Sequence, residues 1–394
     1  MSVTAAKGWK AAGVAAGTKP SGELDLALVV SDVPAVVAGA FTTSSVPSAH
    51  VIVDKPRVSS GRAQGFCVSA GIANAFTGAD GVAAAEEMAA KAAELCGFSS
   101  EQDMLVAATG TIGVPLPMDA VTNGLAKAAA ALSPVGDEDA ANAIRTTDAY
   151  PKTCVRTFET GGVTVTVGGM AKGAGMIAPR MVPQATLLVF LTTDAVASPG
   201  VLRSAITAAL PKSFNAITVD GCMSTSDTVL LFANGASGAD VAGSEAFTGA
   251  VTDVLADLAY KVVADGEGAT RVIRVRVSGA ASDDDAFNAA REIATSILVR
   301  SAIYGGDPNY GRVVQALGQA PCALEPSKLR IAVGGVELSA GGVETGRAEH
   351  AAKALAAGGD AVIEADLGLG ASSFEYLTCD LTPDYVRFNA EYTT

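Results

Sequence analysis

The order in which apolar runs follow one another constrains this fold most. "LALVVS" (26–31), "AVVAGAFTT" (35–43), "HVIVD" (50–54) and "GFCVSA" (65–70) come in succession before the first clear helical pattern. They are apolar, rich in β-branched residues, and separated by Pro, Ser and Asp, as strands are. Strands that do not alternate one-for-one with helices argue against a simple doubly wound parallel sheet. They predict an α/β chain of the layered α+β kind, with mixed sheets flanked by helices.

The first helix is expected over "GVAAAEEMAAKAAELCG" (81–97), with Asp80 as N-cap, Gly97 as the stop, and Ala85, Met88, Ala92 and Leu95 on the buried face. Two more are expected over 245–264 and 282–304. The second of these is capped by Ser282, has Asp285 three residues on, and carries Phe287, Ala290, Ile293 and Ile297 as its stripe. Further strands are expected in "MLVAATGTIG" (104–113), "GVTVTVG" (162–168), "AITVDG" (216–221), "DTVLLFAN" (227–234), "LRIAVGGVEL" (329–338), "AVIEADLG" (361–368) and "SSFEYLTCD" (372–380).

The net charge of −14, with no basic cluster, argues against nucleic acid or an anionic membrane as partner. No run reaches 18 apolar residues and the first residues lack a signal-type apolar core, so a cytoplasmic protein is expected. The six cysteines form no CxxC pair and read as reduced thiols rather than a disulfide or zinc framework.

Histidine decides much of the chemistry. Only His50 and His350 occur, and neither sits in a recognisable motif, which weighs against a Ser-His-Asp triad or a His-rich metal site. No GxxxxGK[ST] loop is present either. An enzyme built on this chain needs a nucleophile whose base is not histidine. An N-terminal threonine supplies one, because its own α-amine has a pKa of roughly 7.7–8.0 and can take the hydroxyl proton. The stretch "KGAGMIAPRMVPQATLLVFLTTDA" (172–195) offers the place. Pro179 and Pro183 bar regular structure, and an apolar strand starts directly behind them with Thr186 near its head. A cut between Ala185 and Thr186 would create that terminus. Left uncut, Thr186 is an ordinary strand residue.

Motifs scattered along almost the whole chain carry a resemblance. They are "AAGVAAGTKPSGELDLALV" (11–29), "SAGIANAFTG" (69–78), "ATGTIG" (108–113), "TTD" (146–148), "GGMAKGAGMIAP" (168–179), "VDGCMSTSDTV" (219–229), "DGEGATR" (265–271), "YGGDPNYGR" (304–312) and "NAEYTT" (389–394). In this order the chain resembles the ornithine acetyltransferase family, also called bifunctional glutamate N-acetyltransferase, of arginine biosynthesis. The resemblance implies the self-processing aminopeptidase and ornithine acetyltransferase type of fold. It implies an α chain of 1–185 and a β chain of 186–394 from one precursor, assembled as a heterotetramer or larger. Thr186 would be the nucleophile, taking acetyl from N-acetylornithine and passing it to glutamate, with acetyl-CoA as another donor and no cofactor or metal. Thr109 and Gly110 would form the oxyanion hole. Thr146, Lys172, Thr186, Glu267, Asn389 and Thr394 would contact substrate. Asp220, Asp227 and Asp307 are expected to be structural loop residues.

Two departures from the family pattern stand out. Val182, Pro183 and Gln184 lengthen the segment before the cut by three residues, and Ser69 stands where the family has Asn. Two other readings follow. One is an amidase, aminopeptidase or secondary-metabolism acyltransferase with the same nucleophile. The other is an unprocessed protein that binds acetylated amino acids.

Overall fold

The computed structural model describes residues 1–178 and 187–391, so Ala185, Thr186, the Val182–Gln184 insertion and Thr394 lie outside the described residues. Among the described residues the chain divides into two units, 1–215 with 222–262, and 216–221 with 263–391.

In the first unit the elements run β1 (Trp9–Val14), β2 (Leu26–Phe41), α1 (Ala49–Ser59), β3 (Arg62–Ile72), α2 (Gly78–Cys96), β4 (Met104–Thr111), α3 (Met118–Ala131), α4 (Asp137–Ala143), β5 (Lys152–Thr160), β6 (Val163–Lys172), β7 (Leu188–Thr193), α5 (Pro199–Ala209), β8 (Thr228–Ala233) and α6 (Glu245–Ala264). Among the described residues these strands form one eight-stranded sheet in the order β4-β3-β2-β8-β7-β6-β5, with β1 also beside β2. β3/β4 and β7/β8 are parallel and the other pairs antiparallel, so the sheet is mixed as expected.

The two runs "LALVVS" and "AVVAGAFTT" are one long strand. β2 pairs with β1 along Leu26–Ser31 and with β8 along Val36–Phe41, and its register with β3 shifts between Val30 and Ala35, where Pro34 sits. A proline cannot donate to a ladder, so it falls where the partner changes.

Strand alternation builds two cores. Ala27, Val29, Phe66, Val68, Leu105 and Ala107 face a cluster with Trp9, Phe190 and Phe232. Their neighbours Leu26, Leu28, Val30, Cys67, Met104 and Val106 face α2 and α3 through Met88, Ala92, Val121 and Leu125. On α2, Gly97 is the expected left-handed stop at φ 70°, but the N-cap is Thr77 and Asp80 lies inside the first turn.

The "HVIVD" run is a helix, α1, not a strand. Its β-branched content favours a strand locally. It is helical because its polar residues serve β4, as described below.

In the second unit β9 (Val272–Ala280), α7 (Asp283–Thr295), α8 (Ile297–Tyr304), α9 (Tyr310–Gln319), β10 (Arg330–Val333), β11 (Val336–Ala340), β12 (Val343–Glu344), α10 (Ala348–Ala356), β13 (Ala361–Asp366), β14 (Ser372–Cys379) and α11 (Pro383–Glu391) follow. Among the described residues their sheet has the order β12-β11-β10-β13-β9-β14, with only β13/β9 parallel. The expected 282–304 helix is two helices. Ser282 Oγ does accept from Asp285 N at 3.1 Å, but Ser296 is extended (φ −62°, ψ 113°) and caps α8 instead. The stripe therefore ends at Ile293, and Ile297 is 65% exposed. "AITVDG" is not a strand: Ile217 makes one isolated bridge to Leu377. No helix of the described residues is long and apolar enough to cross a membrane.

Candidate active site

The site in the first unit grows from the ends of β4, β6 and β8. β3 and β4 run in parallel, and each carries a glycine one residue before its end, with Gly71 opposite Gly110. Gly110 has φ 127°, and a Cβ there would lie 2.3 Å from the Gly71 carbonyl, so only glycine fits. Thr109 is placed just before this close approach and is buried.

Lys172, the last residue of β6, is buried and donates from Nζ to Thr109 Oγ1 at 3.1 Å. An ammonium has only donors, so Thr109 Oγ1 must accept. The hydroxyl proton of Thr109 is then left to be aimed elsewhere. A pocket lined by Thr109, Lys172, Leu187, Ser224, Ser226 and Asp227 opens at this point.

Behind Lys172 stands Asp148, whose carboxylate gathers the surrounding chain. It accepts from Lys152 Nζ at 2.7 Å, Gly173 N at 2.6 Å and Thr146 N at 3.1 Å. Burial pushes its pKa up, but the charges of Lys152 and Lys172 and the hydrogen bonds outweigh burial and hold it at about 2. Thr146, Lys172 and Thr109 are thereby brought into one network. The Arg145 guanidinium fixes the turn by donating to the carbonyls of Asp148 and Ala149.

β4 is an end strand of its sheet. Its groups at alternate residues face away from β3. α1 meets them with side chains spaced along one helix face: Arg57 Nη1 donates to Met104 O at 2.8 Å, Asp54 Oδ2 accepts from Val106 N at 3.1 Å, and His50 Nδ1 accepts from Ala108 N at 3.3 Å. Residues 50, 54 and 57 share a face at helical spacing, and 108, 106 and 104 share a strand edge. The next position in that outward series is Gly110. Burial pushes the Asp54 carboxyl well above the usual range, with Arg57 and the Val106 amide acting against it.

His50 is completely buried, and burial lowers its pKa to about 4. Ala108 N–H can only donate and Ser226 O can only accept. The ring is therefore the tautomer with Nδ1 accepting and Nε2–H donating to Ser226 O at 3.0 Å, with Thr228 Oγ1 at 3.2 Å and Ser48 Oγ at 2.9 Å from Nδ1.

The loop beside Gly71 is held by Asp25. Its carboxylate accepts from the amides of Ala16, Gly17, Thr18 and Lys19, and Thr18 Oγ1 donates to Ala70 O at 2.7 Å. Burial raises the Asp25 pKa, but these bonds lower it further. Ser69 is fully buried, and among the described residues its hydroxyl has no hydrogen-bond partner.

Glu267 and Asn389 both lie in the second unit, with Asn389 Nδ2 donating to Glu267 Oε2 at 3.0 Å. α11 packs on that loop at Gly268, and Thr382 Oγ1 donates to Gly268 O. Asp227 is buried and lines the pocket; Asp307 accepts from Asn309 Nδ2 in its loop. Among the described residues, no group of three or more His, Cys, Asp or Glu could hold a metal ion.

Sequence reasoning missed His50, Asp148, Lys152 and Asp25 as organisers of the site. "TTD" carried a signal for Asp148, yet nothing in "DAYPK" announces that Lys152 is fully buried against it.

A model of the ArgJ family matches residues 10–394. The chain is similar to "Arginine biosynthesis bifunctional protein ArgJ" of Symbiobacterium thermophilum, 45% identical over all of this chain and 98% of that protein. It is similarly related to the protein of the same name in Thermosynechococcus vestitus, 44% identical over all of this chain and 98% of that one. A crystal structure of Arginine biosynthesis bifunctional protein argJ from Bacillus halodurans is 39% identical, covering 46% of this chain and 95% of its own, with a TM-score of 0.44.

Proposed function

The chain belongs to the ArgJ family, and from that membership we propose how its residues carry out acetyl transfer. It is a bifunctional enzyme of arginine biosynthesis, an ornithine acetyltransferase. One observation carries the mechanism. Leu187, which directly follows Thr186 in the chain, lines the same pocket as Thr109 and Lys172.

In this reading the chain cuts itself between Ala185 and Thr186, and the 1–185 and 186–394 chains stay associated in a heterotetramer or larger assembly in the cytoplasm. The Thr186 hydroxyl oxygen then adds to the acetyl carbonyl of N-acetylornithine, its proton passing to the new α-amine. The carbonyl electron pair moves onto oxygen, which accepts hydrogen bonds from the Thr109 hydroxyl and the Gly110 amide. Lys172 leaves that hydroxyl proton available and adds positive charge beside it. The C–N bond breaks, the nitrogen takes the proton, and ornithine departs, leaving acetyl as an ester on Thr186. The amine of glutamate attacks the ester and the steps reverse. Thr146, Lys172, Glu267, Asn389 and Thr394 hold the substrates. No cofactor is required, and an assay with acetyl-CoA as donor decides whether it too is used.

The test is the intact mass of the purified protein under denaturing conditions, beside a Thr186→Ala variant. The expected result is two fragments meeting at Ala185–Thr186 in the first and one full-length species in the variant. Brief mixing with N-acetylornithine should add one acetyl group to the 186–394 fragment. A single full-length chain in both samples would overturn the processing, and an unacetylated fragment would overturn the covalent intermediate.

A further inference from the structure

We infer that His50 is a positioning residue for acetyl transfer: its neutral ring ties the amide of Ala108, the residue before Thr109, to the carbonyl of Ser226, and so fixes Thr109 and Gly110 relative to the Ser226 segment that lines the same pocket. The inference rests on the reading of Thr109 and Gly110 as the oxyanion donors.

Ala108 directly precedes Thr109, and Thr109 and Ser226 line the same pocket. The His50 ring bonds to both, through Nδ1 at 3.3 Å and Nε2 at 3.0 Å. It also takes the last outward amide before Gly110 in the series Val106, Ala108, Gly110. If Ala108 N–H were to turn, Gly110 N–H, two residues on, would turn with it. Burial and its low pKa keep the ring neutral at working pH, so it offers Ala108 an acceptor. The ring does not touch the reacting atoms and takes no proton from them. A displacement of about 1 Å at such donors can cost about a hundredfold in rate, and loss of one tether is expected to give part of that.

The test compares steady-state kinetics of fully cleaved protein for His50→Ala, His50→Asn and Thr109→Ala. His50→Ala is expected to lower kcat about tenfold or more, with KM for N-acetylornithine within about twofold. His50→Asn, whose Oδ1 stands near the place of Nδ1 and can accept from Ala108, is expected to recover most of that loss. Should His50→Ala fail to fold, His50→Asn alone still decides, compared with an isosteric His50→Leu that has no acceptor. If Thr109→Ala lowers kcat while every His50 variant keeps the wild-type value, His50 only fills space and the inference falls. If KM rises and kcat holds, His50 serves binding and the inference also falls. If Thr109→Ala itself is fully active, the oxyanion reading fails first, and that outcome is distinct from the other two.

Discussion

Two buried ionisable residues beside the pocket respond to acid in sequence. His50 has an ordinary pKa near 6.5 when the chain is unfolded and about 4 when folded, so the unfolded chain binds the proton first. Its contribution to stability is therefore present above pH 6.5 and is lost as pH falls from there to about 4, by roughly 3 kcal/mol at about 1.4 kcal/mol per unit. Asp148 is held at about 2 against 3.8, so its contribution persists until pH falls below 3.8 and is lost toward 2. Denaturant unfolding of the uncut Thr186→Ala chain at pH 7, 5 and 4 should show the first loss, and adding His50→Gln should flatten it. A slope unchanged by that substitution would assign the acid sensitivity elsewhere. At this scale the sequence was half legible. Thr109, Gly110 and Lys172 stood out through motifs, but the 3.1 Å bond between Lys172 and Thr109 joins residues 63 positions apart, and no local pattern encodes it. His50 is not legible because the two bonds that link it to the pocket go to backbone groups, Ala108 N–H and Ser226 O, which carry no side-chain signature.

Among the elements, helix α6 has both of the ends its sequence predicts, since twenty residues of helical pattern outweigh local noise. α1 departs from the strand its sequence suggests because a short β-branched run cannot be told from a strand by itself. What makes it helical is the spacing of His50, Asp54 and Arg57, which is meaningful only once β4 is known to lie at a sheet end. That arrangement predicts a specific asymmetry. Asp54 is pushed toward its neutral form, so Asp54→Asn, which still presents an oxygen to Val106 N–H, should be tolerated within about 1 kcal/mol. Asp54→Leu leaves that amide buried and unpaired and should cost about 2 kcal/mol or more. Unfolding of both variants in the Thr186→Ala chain measures the difference, and equal stabilities would mean the bond contributes nothing. The break between α7 and α8 had a legible cause in hindsight, because Ser296 repeats at α8 the capping that Ser282 performs at α7.

For the whole molecule, the proposed cut does not coincide with the division into units. β6 lies before it and β7 after it, and they pair along Val167–Lys172 with Leu188–Thr193 in one sheet. The two chains should therefore elute together from a native sizing column and separate only in denaturant. Separation under native conditions would contradict a ladder that holds both. The mixed α/β character was legible from the order of the runs, whereas the partner change along β2 was not, because it depends on β8, some two hundred residues away in the chain. The end strand β4 has a final consequence. Bare strand borders recruit strands from other molecules, and a chain still on the ribosome is most exposed to that. Here α1 is synthesised before β4, so the groups that deny this border to a neighbouring nascent chain are already made when the border emerges.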